Sequence, residues 1–536
     1  MVTKNVGEML KDHVNLEVEC IDRMYLNGYV PRVQSPGGFA YFVKTDLGLP
    51  VISTTAVASM SKGFVKGIEQ YAKDGNIELI KFKRGIRKDD LAQEKLAAFK
   101  SREGVLFIGK AQEKASVFRT EVRRGQNGER YPWVVRGTAM PNHYYFYLLD
   151  EDFGPMFIKF CSYFPYAVKV CLNGHEWLQR QLSKEGIDYQ RLDNGILSCG
   201  NVPRMQELCN QLGEEQIAAV FRKWLNRLPN PYSPVMQEEG CQYELSIVQA
   251  EFALTHVFDR PSSGRQFFEE IMRDHLDLGR PENIQLIFDR RITKRTDSQF
   301  KTRVITQGVL PSLNVYYKWS RIKQYYKEGR ALRTETVINN TRDFDVNRGL
   351  CNLGKLRQIG FAANRRLLRV QNLSHNCMVG EAVFSSVASS VEVDNQRASG
   401  LRFGDPRAMA LMNALCLFLT LPHGFRNRHL RACIAHLLEK DLAEYKPGSM
   451  TYDLRRLRLH GLIEKVPGTL RYFVTEQGVK VAAFYTRVYA RVFRPGLSVQ
   501  VKKLQHLRIV PTNQPKGLRD VEAAIGSLLS EARMAS

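Results

Sequence analysis

Apolar and polar residues alternate in some stretches of the chain and recur at helical spacing in others. The segment NLEVECID, which ends at Asp22, alternates with the period of a half-buried strand. A helical pattern follows over residues 57–73, and IELIKF and GVLFIG are typical of strands. This succession predicts an N-terminal α/β domain over residues 1–122.

A polar segment rich in turn-forming residues, RRGQNGERYP at residues 123–132, predicts the first domain boundary. Beyond it, NHYYFYLLDEDFGPMFIKFCSYFP predicts a hairpin of two aromatic strands. Helical periodicity then continues to the proline-rich LPNPYSP. We interpret residues 133–230 as a second domain, made of a hairpin and helices.

Residues 241–345 carry a second α/β pattern. YELSIVQAEFALTHVF predicts a strand and SGRQFFEEIMRDHL a helix, and the later strands are predicted at IQLIF, TRVITQ, SLNVYYKWS and ALRTETVINN. A strand-helix-strand unit followed by a meander predicts an α+β sheet domain. Residues 346–420 are predicted to be mostly helical, and a tail at 501–536 is predicted to contain a helix at 521–532.

Residues 421–500 have the element order of a winged helix-turn-helix domain. HLRACIAHLLEK and MTYDLRRLRLHGLIEKVPG predict two helices, and TLRYFVTEQGVKVAAFYTRV predicts a strand, a turn at residues 476–478 and a closing helix. The Leu-x-x-Leu-x-x-x-Gly-Leu-Ile sequence within this segment resembles winged helix-turn-helix domains. The predicted fold class is therefore α+β and multidomain, with mixed α/β sheets followed by a helical segment and a C-terminal winged helix-turn-helix domain.

The chain is strongly basic, with 78 Lys+Arg against 55 Asp+Glu and a formal net charge of +23. Clustered cations bind polyphosphates by releasing condensed counterions, so this excess favours a nucleic-acid partner. The excess is concentrated in residues 421–500, with 14 Lys+Arg against 6 Asp+Glu. The side chains predicted to contact DNA there are Arg455, Arg456, Arg458, Arg471 and Tyr472. The alternative is a winged helix that contacts another protein.

Tyrosines and cations are interleaved in NVYYKWSRIKQYYKEGRALRTETVINN, residues 314–340. This spacing resembles strands in the rolling-circle replication initiators of plasmids and filamentous phages. The resemblance implies that Tyr316, Tyr317 or Tyr325 cuts DNA beside a metal and Glu335. The eleven histidines contain no His-x-His pair of the kind such enzymes commonly use. The alternative is a basic aromatic sheet surface that binds nucleic acid without cutting it, lined by Lys318, Arg321, Lys323 and Tyr325.

Asp22 falls on the core face at the end of the first predicted strand. A buried carboxylate is costly unless it binds a metal or is paired, here with Arg23 or Arg32. In a metal-dependent nuclease, Mg or Mn would join Asp22 to further carboxylates, for which the candidates are Asp150, Asp152, Glu176 and Asp405. The alternative is an Asp22 held in a salt bridge or a turn, and the sequence leaves the metal ligands unknown.

Other classes of protein are disfavoured by the motifs. The ten cysteines form no CxxC pair, which favours reduced core thiols, and we find no P-loop, nucleophile elbow or kinase motif. No apolar run reaches the ~20 residues of a membrane span, and the N-terminus lacks an export signal. We expect a cytoplasmic protein without a membrane partner.

Three segments resemble a large family of uncharacterised bacterial proteins: FGPMFIKFCSYFPYAVKVCLNGHEW, SRIKQYYKEGRALRTETVINN and MTYDLRRLRLHGLIEKVPGT. That resemblance implies no function by itself. With the initiator-like strands and the winged helix, it suggests a mobile genetic element. The predicted function is nucleic-acid binding, with DNA favoured over RNA. The alternatives are a metal-dependent nuclease or nicking initiator, and a structural RNA-binding protein without catalysis.

Overall fold

The computed structural model describes residues 6–83, 87–278, 302–307, 310–327, 330–375, 377, 379–419, 421, 423–438 and 440–489. Its strands are β1 (Val14–Tyr29), β2 (Leu79–Lys81), β3 (Gly104–Gln112), β4 (Ala115–Arg124), β5 (Arg130–Ala139), β6 (Asn142–Asp150), β7 (Gly154–Cys161), β8 (Val168–Asn173), β9 (Tyr189–Arg191), β10 (Ile196–Cys199), β11 (Glu244–Phe258), β12 (Thr302–Gln307), β13 (Leu310–Tyr317), β14 (Ser320–Lys327), β15 (Ala331–Ile338), β16 (Val391–Val393), β17 (Gln396–Ala398), β18 (Ile463–Lys465) and β19 (Tyr472–Val474).

Helices occur throughout the chain. They are α1 (Val6–Asp12), α2 (Pro36–Tyr41), α3 (Ala58–Asp74), α4 (Lys88–Ala98), α5 (Gly174–Lys184), α6 (Val202–Gln211), α7 (Glu214–Leu225), α8 (Pro234–Glu238), α9 (Pro261–Leu278), α10 (Leu353–His375), α11 (Glu381–Ala388), α12 (Pro406–Phe418), α13 (Asn427–Leu437), α14 (Pro447–Leu459) and α15 (Glu476–Val488). The protein is thus a mixed α and β structure. Within the described ranges, no helix combines the length and apolar character needed to cross a bilayer.

Among the described residues, eleven strands form one large mixed sheet, in the order β12-β13-β14-β15-β11-β1-β8-β7-β6-β3-β2. The long strand β1 lies within the sheet and pairs antiparallel with β11 on one side and β8 on the other. These partners come from the segments 133–230 and 241–345. The three segments predicted as separate domains therefore share one sheet, because both edges of β1 need ladder partners that residues 1–122 do not supply.

The predicted boundary at residues 123–132 is instead the distal end of a hairpin. Strands β4 and β5 pair with each other over their full length, with Arg124 opposite Arg130. We call this hairpin, residues 115–139, the β-arm. Its base is anchored in the core, where Phe118 lies 5.1 Å from the ring of Phe39. The segment is polar because it projects into solvent, not because it links two domains.

The two faces of the large sheet are covered by different helices. On one face α3, α7 and α10 close the main core, with Phe64 of α3 packed on Phe160 and Phe221 of α7 close to Gly28. On the opposite face, which carries Asp22, α5 and α6 cover part of the sheet. Their apolar contacts involve Leu16, Val18, Leu178, Leu182, Met205 and Leu208. Polar and aromatic side chains occupy much of the rest of that face.

Several predicted elements are confirmed. The aromatic hairpin is β6 and β7, paired from His143 with Cys161 to Asp150 with Gly154. The segment SRIKQYYK, which was not predicted as a strand, forms β14 between β13 and β15. The predicted strand IQLIF and the predicted helix at 521–532 lie outside the described residues.

The described residues between 406 and 488 form four helices and one short hairpin. Helix α14 ends before Gly461, whose φ of +69° is the left-handed conformation that favours glycine at a helix end. The hairpin β18–β19 follows, with Ile463 opposite Val474. The turn predicted at residues 476–478 is instead the start of α15, because the Thr475 hydroxyl accepts from the Gly478 N–H at 3.0 Å and caps that helix.

Candidate functional site

A group of buried and half-buried polar side chains lies where β1, β14 and β15 meet the start of α5. We call it the polar cluster; its members are Asp22, His175, Asn194, Tyr325, Arg333 and Glu335. The sheet register explains why strands distant in sequence contribute to it. Cys20 lies opposite Ala253, Ala253 opposite Glu335, and Arg333 opposite both Thr255 and Tyr325. Residues opposite each other share a sheet face, so these side chains meet on the face that carries Asp22.

The start of α5 positions the remaining members of the polar cluster. The Asn173 side chain caps the helix by accepting from the His175 and Glu176 N–H groups at 2.9 and 3.4 Å. Its amide nitrogen also donates to Asn194 Oδ1 at 2.8 Å. Asn194 Nδ2 in turn donates to Asp22 Oδ1 at 2.5 Å. The helix cap and the buried carboxylate thus belong to one hydrogen-bonded chain.

Arg333 lies between the two carboxyl groups of the polar cluster and is fully buried. Its Nη2 is 3.3 Å from Asp22 Oδ2, and its Nε is 3.0 Å from Glu335 Oε1. The guanidinium also donates to the Asn194 carbonyl and to His175 Nε2. Burial opposes its charge, but the two carboxyl groups outweigh burial and raise the pKa of Arg333. A buried cation needs such partners.

The Asp22 and Glu335 carboxyl groups both contact Arg333, and each influences the ionisation of the other. Burial opposes ionisation of Asp22, but Arg333 and His175 together hold the pKa of Asp22 well below its usual range. Burial and the nearby charge of Asp22 raise the pKa of Glu335 to about 7. Near neutral pH Asp22 is therefore ionised, and Glu335 is the carboxyl group that takes up a proton more readily.

Tyr325 belongs to the polar cluster through its hydroxyl, which donates to Glu335 Oε1 at 2.8 Å. Burial and the charge on Glu335 raise the pKa of Tyr325 above its ordinary value. A tyrosine nucleophile instead needs a partner that favours loss of its proton. The contacts of Tyr325 therefore stabilise the neutral phenol.

The two other tyrosines predicted as nucleophiles lie outside the polar cluster. Tyr317 is fully buried, and its hydroxyl accepts from Arg471 Nη1 at 3.3 Å. Tyr316 is half-buried and lies opposite Arg321 in the sheet. The structure brings Asp22, Tyr325 and Glu335 together, and leaves the Tyr316–Tyr317 pair on β13.

The cations predicted to line the sheet surface take two different positions. Arg321 and Lys323 are half-buried on β14, on the face that carries Asp22, and Lys323 Nζ lies 4.2 Å from the centroid of the Tyr325 ring. Lys318 instead sits in the turn before β14 and donates to the Asp343 carbonyl at 2.7 Å. Burial lowers the pKa of Lys318. Lys318 thus closes a turn and does not extend the basic surface.

The carboxylates predicted to converge on Asp22 have other partners. Asp150 accepts from Trp224 Nε1 and Lys223 Nζ at 2.8 Å each. Asp152 pairs with Lys184, Glu176 pairs with Arg191, and Asp405 caps the N-terminus of α12. Arg32 pairs with Asp46 at 2.5 Å. The carboxyl group that interacts with Asp22 is that of Glu335, which was predicted to belong with the candidate tyrosine nucleophiles. In the part of the chain that the structure describes, no three His, Cys, Asp or Glu side chains are grouped as a metal site needs.

Helix α14 carries the second candidate site. Arg455 and Arg458 are exposed, and with Thr451 they form one stripe along the helix, while Leu454 and Leu457 are buried beneath it. We call this stripe the basic helix face. Arg456 points elsewhere and is buried. It donates to the Ser399 carbonyl at 3.1 Å and the Gly400 carbonyl at 2.5 Å, so the prediction that it contacts DNA is wrong.

The predicted contact of Arg471 with DNA is also contradicted by its position, whereas that of Tyr472 stays a prediction. Arg471 is buried, with Nη2 2.6 Å from Asp345 Oδ2. Tyr472 is half-buried, and its backbone pairs with that of Phe425. Both residues face the rest of the protein because β19 docks there. They attach the hairpin and do not extend the basic helix face.

Two functional features were missed by sequence reasoning. Arg333 was noted only as part of an Arg-x-Glu pair, since nothing in the sequence links it to Asp22. The β-arm lies where the sequence predicts a boundary, although β-branched and aromatic residues at 115–124 and 130–139 flank the turn Gly125-Gln126-Asn127-Gly128, which is the available signal.

Comparison of the chain with protein-family models, curated proteins and solved structures finds no match. The resemblances to winged helix-turn-helix domains, to replication initiators and to a bacterial family therefore stay predictions. Function is inferred below from the chemistry of the polar cluster and of the basic helix face.

Proposed function

We propose that this protein binds nucleic acid, and that it contacts duplex DNA through α14 and the hairpin β18–β19 as a winged helix-turn-helix domain. The observation that supports this proposal is the basic helix face. Arg455 and Arg458 remain exposed one turn apart on a helix whose opposite side is buried. Two guanidinium groups held at this spacing suit phosphates or guanine edges in a major groove.

The neighbourhood of α14 adds further positive charge. Exposed cations also lie on elements close to α14 in sequence or contact: Arg397 on β17, Arg428 on α13, Lys446 just before α14, and Lys465 on β18. The order helix, helix, hairpin, helix over α13 to α15 is that of a winged helix-turn-helix domain, whose second helix enters the major groove. These observations support the assignment of α14 as the recognition helix.

The short hairpin β16–β17 determines which part of α14 is accessible. Arg455 Nη2 donates to the Arg397 carbonyl at 3.1 Å, and the Tyr452 hydroxyl is 3.0 Å from the Ser399 hydroxyl. These contacts cover the side of α14 nearest Tyr452. The Arg458 guanidinium, unlike that of Arg455, has no hydrogen-bond or ion-pair partner among the described residues, so we assign the largest share of DNA binding to Arg458.

Fluorescence anisotropy with a labelled DNA duplex tests this proposal. We expect Arg455→Gln/Arg458→Gln to weaken binding about tenfold or more, since each lost contact costs roughly 1–3 kcal/mol. The charge-matched control is Lys62→Gln/Lys66→Gln, on the exposed side of α3. Equal weakening by both pairs would contradict a specific role of α14. Preference for duplex RNA, unaffected by either pair, would favour the RNA-binding alternative.

A metal-dependent nuclease is the second candidate, because the structure joins Asp22, Glu335 and Tyr325. The Arg333 guanidinium argues against it, since a cation already occupies the space between the carboxyl groups. Incubation of supercoiled DNA with Mg²⁺ or Mn²⁺ separates the candidates. Cleavage that Glu335→Gln abolishes would support the nuclease, whereas intact DNA with either metal would leave the binding proposal.

A further inference from the structure

The β-arm projects from the body of the protein. Val117, Phe118 and Val134 are buried at its base, whereas every residue from 121 to 133 is exposed or half-exposed. Among the strands that the structure describes, these two pair with each other and not with the large sheet. The distal half of the β-arm is therefore not required to cover the core.

One face of the β-arm presents aromatic rings beside arginines. The register places Trp133 opposite Glu121, Tyr131 opposite Arg123, and Val135 opposite Arg119. Trp133 is 44% exposed and Tyr131 is 39% exposed. The Arg123 guanidinium lies 4.8 Å from the centroid of the Trp133 ring, and the two aromatic rings are 6.4 Å apart at 85°. Arg123 covers part of the Trp133 ring, and the rest of the apolar surface of that ring is exposed to solvent.

The charge of the β-arm indicates the kind of partner. Residues 119–136 contain five arginines and two glutamates. In the described part of the chain, no acidic side chain forms an ion pair with the four distal arginines, Arg119, Arg123, Arg124 and Arg130. At the tip, Arg124 and Arg130 lie opposite each other, an arrangement of like charges that destabilises a hairpin. An anionic partner relieves this repulsion, whereas a second copy of the β-arm would increase it.

We propose that the β-arm binds single-stranded nucleic acid, with unpaired bases stacked on Trp133 and Tyr131 and phosphates paired with the neighbouring arginines. The exposed rings favour single-stranded over double-stranded nucleic acid, because base faces are available for stacking only where bases are unpaired. This inference does not rest on α14. It concerns another part of the chain and another form of nucleic acid.

Tryptophan fluorescence tests the proposal on the full-length protein. The chain has four tryptophans, of which Trp177 and Trp224 are buried and Trp319 is half-buried. Titration with oligo(dT) is expected to quench the emission, and Trp133→Phe is expected to remove most of that quenching. The matched control Trp319→Phe is expected to keep it. Anisotropy with labelled oligo(dT) is expected to show about tenfold weaker binding for Trp133→Ala, because a stacked base contributes that much.

Other outcomes would overturn the proposal. It fails if Trp133→Phe keeps the full quenching and Trp133→Ala keeps the full affinity. It also fails if Trp133→Ala weakens binding of duplex only, or if poly-glutamate quenches Trp133 as strongly as oligo(dT) does. Unfolding midpoints equal to wild type would show that these exposed substitutions leave the fold intact. Quenching by oligo(dT) that survives in Arg455→Gln/Arg458→Gln separates the β-arm from α14.

Discussion

At the scale of single residues, Arg333 determines whether the polar cluster is compatible with the fold. It neutralises Asp22 and contacts Glu335 inside the protein, so its removal leaves a buried carboxylate without its cation. We expect Arg333→Met to lower the free energy of unfolding by about 3–5 kcal/mol. Urea unfolding measures this loss.

The exposed pair Arg365–Glu19 provides the control for Arg333. Arg365 Nη1 is 3.0 Å from Glu19 Oε2, but the Arg365 side chain is 59% exposed. Arg365→Met should change the free energy of unfolding by less than about 1 kcal/mol, because solvent screens such pairs. Equal losses for Arg333→Met and Arg365→Met would show that the polar cluster is not the paired site described here.

Glu335 gives the protein a characteristic dependence on pH. Its pKa is raised from 4.5 to about 7 by burial and by Asp22, so the folded state binds the proton more tightly than the unfolded state. The stabilisation by this proton is complete below pH 4.5 and is lost as the pH rises through about 7. Glu335→Gln, which replaces the titrating carboxyl group by an amide of similar shape, should remove this part of the pH dependence. Parallel stability curves from pH 4.5 to 8 for both proteins would contradict a raised pKa of Glu335.

The polar cluster also shows how far sequence predicts a single residue. The alternation in NLEVECID correctly placed Asp22 on a buried face and required a partner for it. The identity of that partner depends on how β1, β11 and β15 align, and no local pattern encodes an alignment between strands so distant in sequence. Arg23 and Arg32 are predicted as partners of Asp22 only because they lie near it in sequence.

At the scale of elements, the arginines of α14 separate into two roles. Arg456 donates to two backbone carbonyls next to β17, and its loss removes both of these hydrogen bonds. We expect Arg456→Gln to lower the free energy of unfolding by about 1–3 kcal/mol and to leave DNA affinity unchanged. Arg458→Gln should weaken DNA binding and leave the free energy of unfolding nearly unchanged. Denaturation and anisotropy on both variants check this, and loss of affinity in folded Arg456→Gln would contradict it.

Sequence patterns predict the existence of helices and strands better than they predict which elements pack beside them. The helix α14 was recognised, but its three arginines were treated alike, because the position of β16–β17 beside the helix depends on tertiary contacts. The β-arm was missed because its distal half lacks apolar alternation on a buried face. A hairpin that packs only at its base gives a weak pattern at its tip.

At the scale of the whole molecule, one sheet joins the segments that the sequence had separated. Strand β1 has both of its partners, β8 and β11, beyond residue 122. We expect a fragment of residues 1–122 to lack cooperative unfolding in urea and to show little ordered β structure by circular dichroism, since both edges of β1 would be unpaired. A cooperative transition in that fragment would restore the predicted N-terminal domain.

Domain boundaries were the least predictable feature of the whole chain. Polar, turn-rich segments mark loops correctly, but a loop within a sheet has the same composition as a loop between domains. The segment at 123–132 shows this directly, since it is the turn between β4 and β5. Long-range strand pairing, here that of β1 with β8 and β11, is what distinguishes a loop within one sheet from a loop between domains.

The central claim is that exposed cations of this protein bind a polyphosphate, and the salt dependence of its affinity for duplex DNA tests that claim most directly. We predict that the association constant falls steeply and linearly, on logarithmic axes, between about 50 and 200 mM salt. Arg458→Gln should make the slope shallower by about one. An affinity that does not change over this range, or a slope that Arg458→Gln leaves unaltered, would contradict the account.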